Sequence, residues 1–144
     1  LGIAPFLGSA SVLCGKADVT VVLGVPGKGW EAFAKWCKER IPGIRLNSDD
    51  GSLVKWGDPV EDSVTLAGPN HEVWGCGPEA MLREMGRIYG KGCERVFVSM
   101  ERRMGCGIGG CLGCTIATAS GMKRVCVDGP VFEWRDVFGE DHGI

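Results

Sequence analysis

Residues 72–100 read EVWGCGPEAMLREMGRIYGKGCERVFVSM, and the fold follows from how this stretch divides. Glu72 to Cys76 has the length and apolar content of a short strand, and Gly77-Pro78 breaks it. Beyond the break, Met81, Leu82, Met85, Ile88 and Tyr89 recur at i, i+1, i+4, i+7 and i+8, which places them on one face of a helix. Arg95 to Met100 (RVFVSM) reads as a buried strand. A strand, a helix of about ten residues and another strand make a βαβ unit, which calls for a parallel sheet.

The same alternation runs upstream. Pro5 opens a segment in which Phe6, Leu7, Ala10, Leu13 and Cys14 repeat the spacing of the helix at 81–89, and proline suits a first helical turn. Val19 to Val25 (VTVVLGV) reads as a buried strand. A helix from about Glu31 to Arg40 is stopped by Ile41-Pro42-Gly43, and Ile44 to Leu46 is a short strand. Asn47 to Pro69 is polar and punctuated by Asp50-Gly51 and Asp58-Pro59, so it reads mostly as loop. The fold class expected is α/β, with a doubly wound parallel sheet. After Met100 the texture changes: residues 104–130 are rich in Gly and Cys and keep no helical or strand period. We therefore expect two domains, residues 1–100 as the α/β module and residues 101–144 as a small Cys-rich lobe.

Composition narrows the function classes. With 44% hydrophobic and 24% charged residues the chain matches globular proteins and not disordered ones. A net charge of −2, with both signs interspersed, offers no basic face to nucleic acid or to anionic lipid. No apolar run approaches the roughly 20 residues of a membrane span, and the N-terminus lacks a basic region followed by an apolar stretch. These features argue for the cytoplasm. Glycine, at 24 of 144 residues, far exceeds its usual share of about 7%. Eight cysteines without an export signal point to metal or redox chemistry before disulfides. The chain starts at Leu1 and not at Met, as a fragment would.

Cys106, Cys111, Cys114 and Cys126 follow the spacing C-x4-C-x2-C-x11-C. The spacing of the first three cysteines is that of the plant-type [2Fe–2S] run, and four thiolates can hold two irons, two on each. Backbone N–H groups in such a loop must turn toward sulfur, and Gly107, Gly109, Gly110 and Gly113 can take the positive φ this demands. A structural zinc site is the alternative, since four cysteines also satisfy tetrahedral zinc. Zinc sites more often pair two short Cys-x2–4-Cys knuckles, whereas here three ligands crowd one glycine-rich loop.

Cys14, Cys37 and Cys93 lie on or beside helices and read as small buried hydrophobes. Cys76 stands where a strand ends before a helix, the end of an open α/β sheet at which ligands bind, so it reads equally as a ligand contact or as core. The turn Leu1-Gly2-Ile3-Ala4-Pro5 leads into a helix whose free N–H groups favour anions, yet the three-glycine fingerprint is absent and a plain tight turn serves as well. His71 and His142 stand alone, and no nucleophile or acid/base constellation emerges, so no catalytic residue is assigned. Arg102 and Arg103 read as a solvated patch or as a contact for a partner protein.

The run SMERRMGCGIGGCLGC, with RVCVDGPVF at Arg124 to Phe132, closely resembles the C-terminal iron–sulfur domain of the electron transfer subunits of type B dihydroorotate dehydrogenases. WGCGPEAML at Trp74 to Leu82 and GIAPFL at Gly2 to Leu7 resemble the nicotinamide-binding module of ferredoxin reductase-like proteins, the superfamily of those subunits. The N-terminal FAD barrel and the first nucleotide-binding strand of that family are absent here. Asn47 to Ser52 resembles the family's acidic DDGS turn, and the sequence from Leu53 to Val64 follows it less well.

The resemblance implies a truncated ferredoxin reductase-like NAD-binding module over residues 1–100 and a [2Fe–2S] domain over residues 101–144. It implies a subunit of an NAD-dependent oxidoreductase complex in pyrimidine biosynthesis, not active on dihydroorotate by itself. Electrons would pass from an FMN-containing catalytic subunit through the cluster to FAD, and then to NAD+. Gly2, Ile3, Ala4 and Pro5 would approach the dinucleotide, with Cys76, Gly77, Pro78 and Met81 at its nicotinamide end. The alternatives are an electron transfer subunit of a hydrogenase or of a ferredoxin:NADP+ enzyme, and a zinc-stabilised binding module without redox role.

Overall fold

A computed structural model describes residues 2–13, 16–53, 55–56 and 64–139, with Ser11, Lys55 and Trp56 as backbone only. The expectations for Leu1, Cys14, Asp58-Pro59 and His142 lie outside the described residues. The chain forms two compact units, Leu1–Leu66 and Ala67–Ile144.

In the first unit, helix α1 (Ala4–Leu13) precedes strand β1 (Val22–Val25), helix α2 (Glu31–Arg40), strand β2 (Arg45–Ser48) and the two-residue strand β3 (Lys55–Trp56). The strands run parallel in the order β1-β2-β3. Ile3 O accepts the N–H groups of Phe6 and Leu7 at 2.9 and 3.2 Å, starting α1. Its side chain is buried with Leu23, Val25, Ala34, Cys37, Ile41 and Leu46 in one apolar cluster, so the start of α1 is pinned to the strands by packing. Cys37 is fully buried, as expected of a cysteine used as a hydrophobe.

The loop after β1 and the turn after β2 are joined by Asp50. Its carboxylate accepts the Lys28 N–H at 3.0 Å and the Ser52 N–H at 2.9 Å. These bonds, chiefly those from Ser52, hold it at about 2, well below its usual 3.8. Gly27, at φ +133°, leaves the space this carboxylate fills, since a Cβ there would overlap it.

A 3-10 turn at Val64–Leu66 ends the first unit, and the second begins with strand β4 (Glu72–Cys76), helix α3 (Glu79–Tyr89) and strand β5 (Arg95–Ser99). β4 and β5 pair in parallel from Glu72↔Arg95 to Cys76↔Ser99, which is the βαβ unit expected of residues 72–100. α3 buries Leu82, Met85, Gly86 and Tyr89. Beyond Met100 come an irregular loop, the hairpin β6 (Thr115–Thr118) and β7 (Gly121–Arg124), strand β8 (Val131–Glu133) and helix α4 (Trp134–Phe138). β8 pairs antiparallel with β5, and the Met100 N–H donates to Pro130 O at 2.8 Å. α4 closes over α3: the Trp134 Nε1–H donates to Leu82 O at 2.9 Å, and its ring lies where a Cβ on Gly86 would be.

The observed fold is therefore mixed α/β with a Cys-rich segment. Where one doubly wound sheet was expected, the described strands form two three-stranded sheets and a two-stranded hairpin. The second sheet is mixed, because β8 returns antiparallel along β5 and takes an edge that a further parallel strand would need.

Candidate metal centre

Cys106 and Cys111 are exposed on the irregular loop between Met100 and β6, Cys114 is buried at its end, and Cys126 is half-buried in the turn after β7. Local backbone conformation bends this segment sharply. Gly107 and Gly109 have φ of +70° and +81°, and Leu112 has φ of +57°. Gly110 and Gly113 do not take positive φ, so part of the bending expected of glycine falls instead on a leucine. Leu112 is held there by Thr115, whose Oγ1 and N–H donate to Leu112 O at 2.6 and 3.2 Å.

The four thiols form two pairs. The Cys111 N–H donates to Cys106 Sγ at 3.4 Å, and the Cys126 N–H donates to Cys114 Sγ at 3.4 Å. The Gly113 N–H donates to Cys111 Sγ at 3.5 Å. The Cys111 N–H, with those of Ile108 and Gly110, draws the Cys106 thiol down to about 6, because each stabilises the thiolate. Cys114 is likewise lowered, first by the Cys126 N–H. Cys126 is raised because it shares a proton with Cys114, although the Gly109 N–H works against that rise.

Within each of these pairs one sulfur is prepared to be a thiolate. Among the described residues no three His, Cys, Asp or Glu side chains are grouped to hold a single metal ion; the sulfurs stand instead as two and two. An all-thiol donor set in two pairs, with N–H groups directed at sulfur, fits a two-iron cluster, in which each iron takes two thiolates.

Cys126 is fixed by the turn that carries it. The Arg124 N–H donates to Asp128 Oδ2 at 2.7 Å and the guanidinium Nε reaches the same oxygen at 3.4 Å, while the Asp128 N–H donates to Arg124 O at 2.8 Å. The Arg124 Nη1–H also crosses to Gly109 O at 3.3 Å. Sequence reasoning missed this latch, although an Arg and an Asp two residues either side of a cysteine were visible.

The residues expected at a dinucleotide fall into two groups. Gly2, Ile3, Ala4 and Pro5 form the start of α1, with Ala4 and Pro5 exposed and the Ile3 side chain in the core. Cys76, Gly77, Pro78 and Met81 come together at the turn from β4 to α3, with the Met81 side chain lying over Gly77. Cys76 Sγ lies 3.8 Å from Glu101 Oε1. Burial pushes the Cys76 thiol up, and the Glu101 carboxylate adds to that rise. Glu79, at the head of α3, receives Arg83 at 3.0 Å and Arg102 at 3.1 Å, which together lower its carboxyl, Arg83 first. Arg102 is thus engaged within its own unit.

Residues 101–138 match the family model of the iron–sulfur cluster binding domain of dihydroorotate dehydrogenase B, a span that includes all four cysteines. The chain is 33% identical over 140 residues to the dihydroorotate dehydrogenase B (NAD(+)) electron transfer subunit of Clostridium acetobutylicum, covering 92% of this chain and 52% of that protein. It is 43% identical over 65 residues to sulfhydrogenase 1 subunit gamma of Pyrococcus furiosus, covering 43% of this chain and 22% of that one. A solved structure described as an NADH-dependent reduced ferredoxin-NADP oxidoreductase superposes with a TM-score of 0.70 at 25% identity, over 94% of this chain and 50% of its own. The chain spans about half the length of the curated relatives it matches.

Proposed function

From this similarity to dihydroorotate dehydrogenase B electron transfer subunits, which runs along nearly the whole chain, we propose that the protein is the electron-relaying part of such a subunit. Cys106, Cys111, Cys114 and Cys126 hold a [2Fe–2S] cluster, Cys106 with Cys111 on one iron and Cys114 with Cys126 on the other. The observation that carries this reading is the two-and-two grouping of the sulfurs, with backbone N–H groups turned toward them. When bound, the cluster supplies one-electron transfer between a flavin on a catalytic partner and a flavin on the NAD side.

The chain's own part is to bind, shield and orient. N–H donors stabilise negative charge on sulfur. Exposed Cys106 and Cys111 bring the relay to the surface, and Ile108 and Leu112, 81% and 62% exposed, offer an apolar contact to an FMN-containing dihydroorotate dehydrogenase subunit. Residues 101–144 form the cluster domain in this reading. Residues 1–100 form part of a doubly wound NAD-binding module, with Gly2 to Pro5 near the dinucleotide and Cys76, Gly77, Pro78 and Met81 at the nicotinamide. FAD is held largely by sequence outside this chain. The complex is a cytoplasmic NAD-dependent oxidoreductase of pyrimidine biosynthesis; among the described residues no helix is long and apolar enough to cross a membrane.

A second reading, the electron transfer subunit of a hydrogenase, is favoured by the 43% identity to the sulfhydrogenase gamma subunit. Electron paramagnetic resonance of dithionite-reduced protein prepared without oxygen, with iron and acid-labile sulfide measured on the same sample, tests the cluster. Two irons and two sulfides per chain are expected; zinc without sulfide refutes it. Copurification with a dihydroorotate dehydrogenase or with a hydrogenase separates the two readings.

A further inference from the structure

We propose that Arg124 is a positioning residue for the cluster, latching the segment of Cys126 onto the loop of Cys106 and Cys111 through Gly109 and thereby raising the reduction potential. The inference rests on the cluster reading above. Two anchors define the latch. On one side Asp128 takes both the backbone N–H and Nε of Arg124, at 2.7 and 3.4 Å, so the guanidinium is oriented from its own turn. On the other side Nη1 reaches Gly109 O at 3.3 Å.

Gly109 is buried, sits at φ +81°, and has room for no side chain: a Cβ would stand 2.8 Å from Val127 Cγ2 and 3.0 Å from Arg124 Nη1. Its carbonyl is held by Arg124, inside the loop whose Cys111 N–H donates to Cys106 Sγ at 3.4 Å. Releasing the carbonyl frees the loop at Gly109, and the Cys111 N–H two residues on then loses its aim at the Cys106 sulfur. A reduced cluster carries one more negative charge than an oxidised one, so an N–H directed at a ligand sulfur favours reduction. The planar fork of arginine serves Asp128 and Gly109 at once; a lysine ammonium keeps the charge without the fork.

The test is the midpoint potential of the cluster in Arg124→Gln and Arg124→Lys, by anaerobic titration monitored by electron paramagnetic resonance, on samples matched for iron and sulfide. Arg124→Gln is expected to make reduction about tenfold less favourable, a shift of about 59 mV to more negative potential for a one-electron couple. Arg124→Lys is expected to shift the same way, because charge alone does not hold Gly109. A wild-type potential in Arg124→Gln overturns the proposal, and a wild-type potential in Arg124→Lys overturns it in favour of charge. Should Arg124→Gln shed its cluster, Asp128→Asn decides: a more negative potential supports the latch and an unchanged one refutes it. Wild-type protein without iron or sulfide is a separate result, which removes the cluster reading itself.

Discussion

The cysteines divide by what surrounds each sulfur. Cys111 receives the Gly113 N–H and donates its own N–H to Cys106, whereas Cys37 sits among Ile3, Leu23, Val25 and Leu46. Cys111→Ser is therefore expected to lose or destabilise the cluster and bleach its visible absorption. Cys37→Ala should leave that spectrum intact while costing about 1–2 kcal/mol in urea unfolding for the lost buried sulfur. Equal bleaching by both would contradict the ligand assignment. Asp50 makes a prediction about acid. Its carboxyl titrates lower in the folded chain, at about 2, than its usual 3.8, so the unfolded state binds more protons between those values. Its contribution is then complete above about pH 4 and vanishes as pH falls through about 2. The gap in urea midpoint between wild type and Asp50→Asn should narrow from pH 5 to pH 2; a constant gap would show that the carboxylate is not what closes the turn. The grouping of Cys106, Cys111, Cys114 and Cys126 was legible in their spacing, and the structure brings them together as two pairs. The positive φ of Leu112 was not, since no residue type announces it and only its clasp by Thr115 explains it.

At the scale of elements, those closed by proline or glycine were the most legible. The bounds expected for Glu31 to Arg40 and Glu72 to Cys76 are those observed, because Pro42 and Gly77-Pro78 punctuate them. The β6–β7 hairpin was missed for a physical reason: it hides Thr118, which satisfies its hydroxyl with Gly121 O at 2.7 Å, so a buried strand position looks polar. β8 was missed because it is three residues long and its pairing with β5 is decided far along the chain. The packing of α4 on α3 gives a sharp test. On an open helix surface Gly→Ala stabilises by up to about 1 kcal/mol, but at Gly86 the new methyl meets the Trp134 indole. Gly86→Ala should therefore destabilise by about 1–3 kcal/mol, read from urea denaturation; stabilisation would mean that α4 does not dock there.

At the scale of the molecule, each compact unit has its own parallel strands and its own buried residues, Leu23, Val25 and Leu46 in one and Leu82, Val96 and Val98 in the other. Native-state hydrogen exchange should accordingly give two plateaus of opening free energy, one for β1 and β2 and one for β4 and β5; a single shared plateau would indicate one cooperative core. Removing iron with a chelator should strip protection from residues 105–114 and 124–128 and leave β4 and β5 as they were, because regular pairing there does not involve the cysteine loop. Loss of protection throughout would mean that the cluster organises the entire second unit.

The meeting of Met100 and Pro130 carries a consequence for how such a chain can be rebuilt. Departure and return share one hydrogen bond of 2.8 Å at the end of the β5–β8 ladder, so everything between them is an excursion with a closed neck. The excursion is also tied back to its framework, by Arg102 on Glu79 and by Ser120 on Asp136, so a graft of residues 101–129 onto another sheet edge would have to bring partners for both.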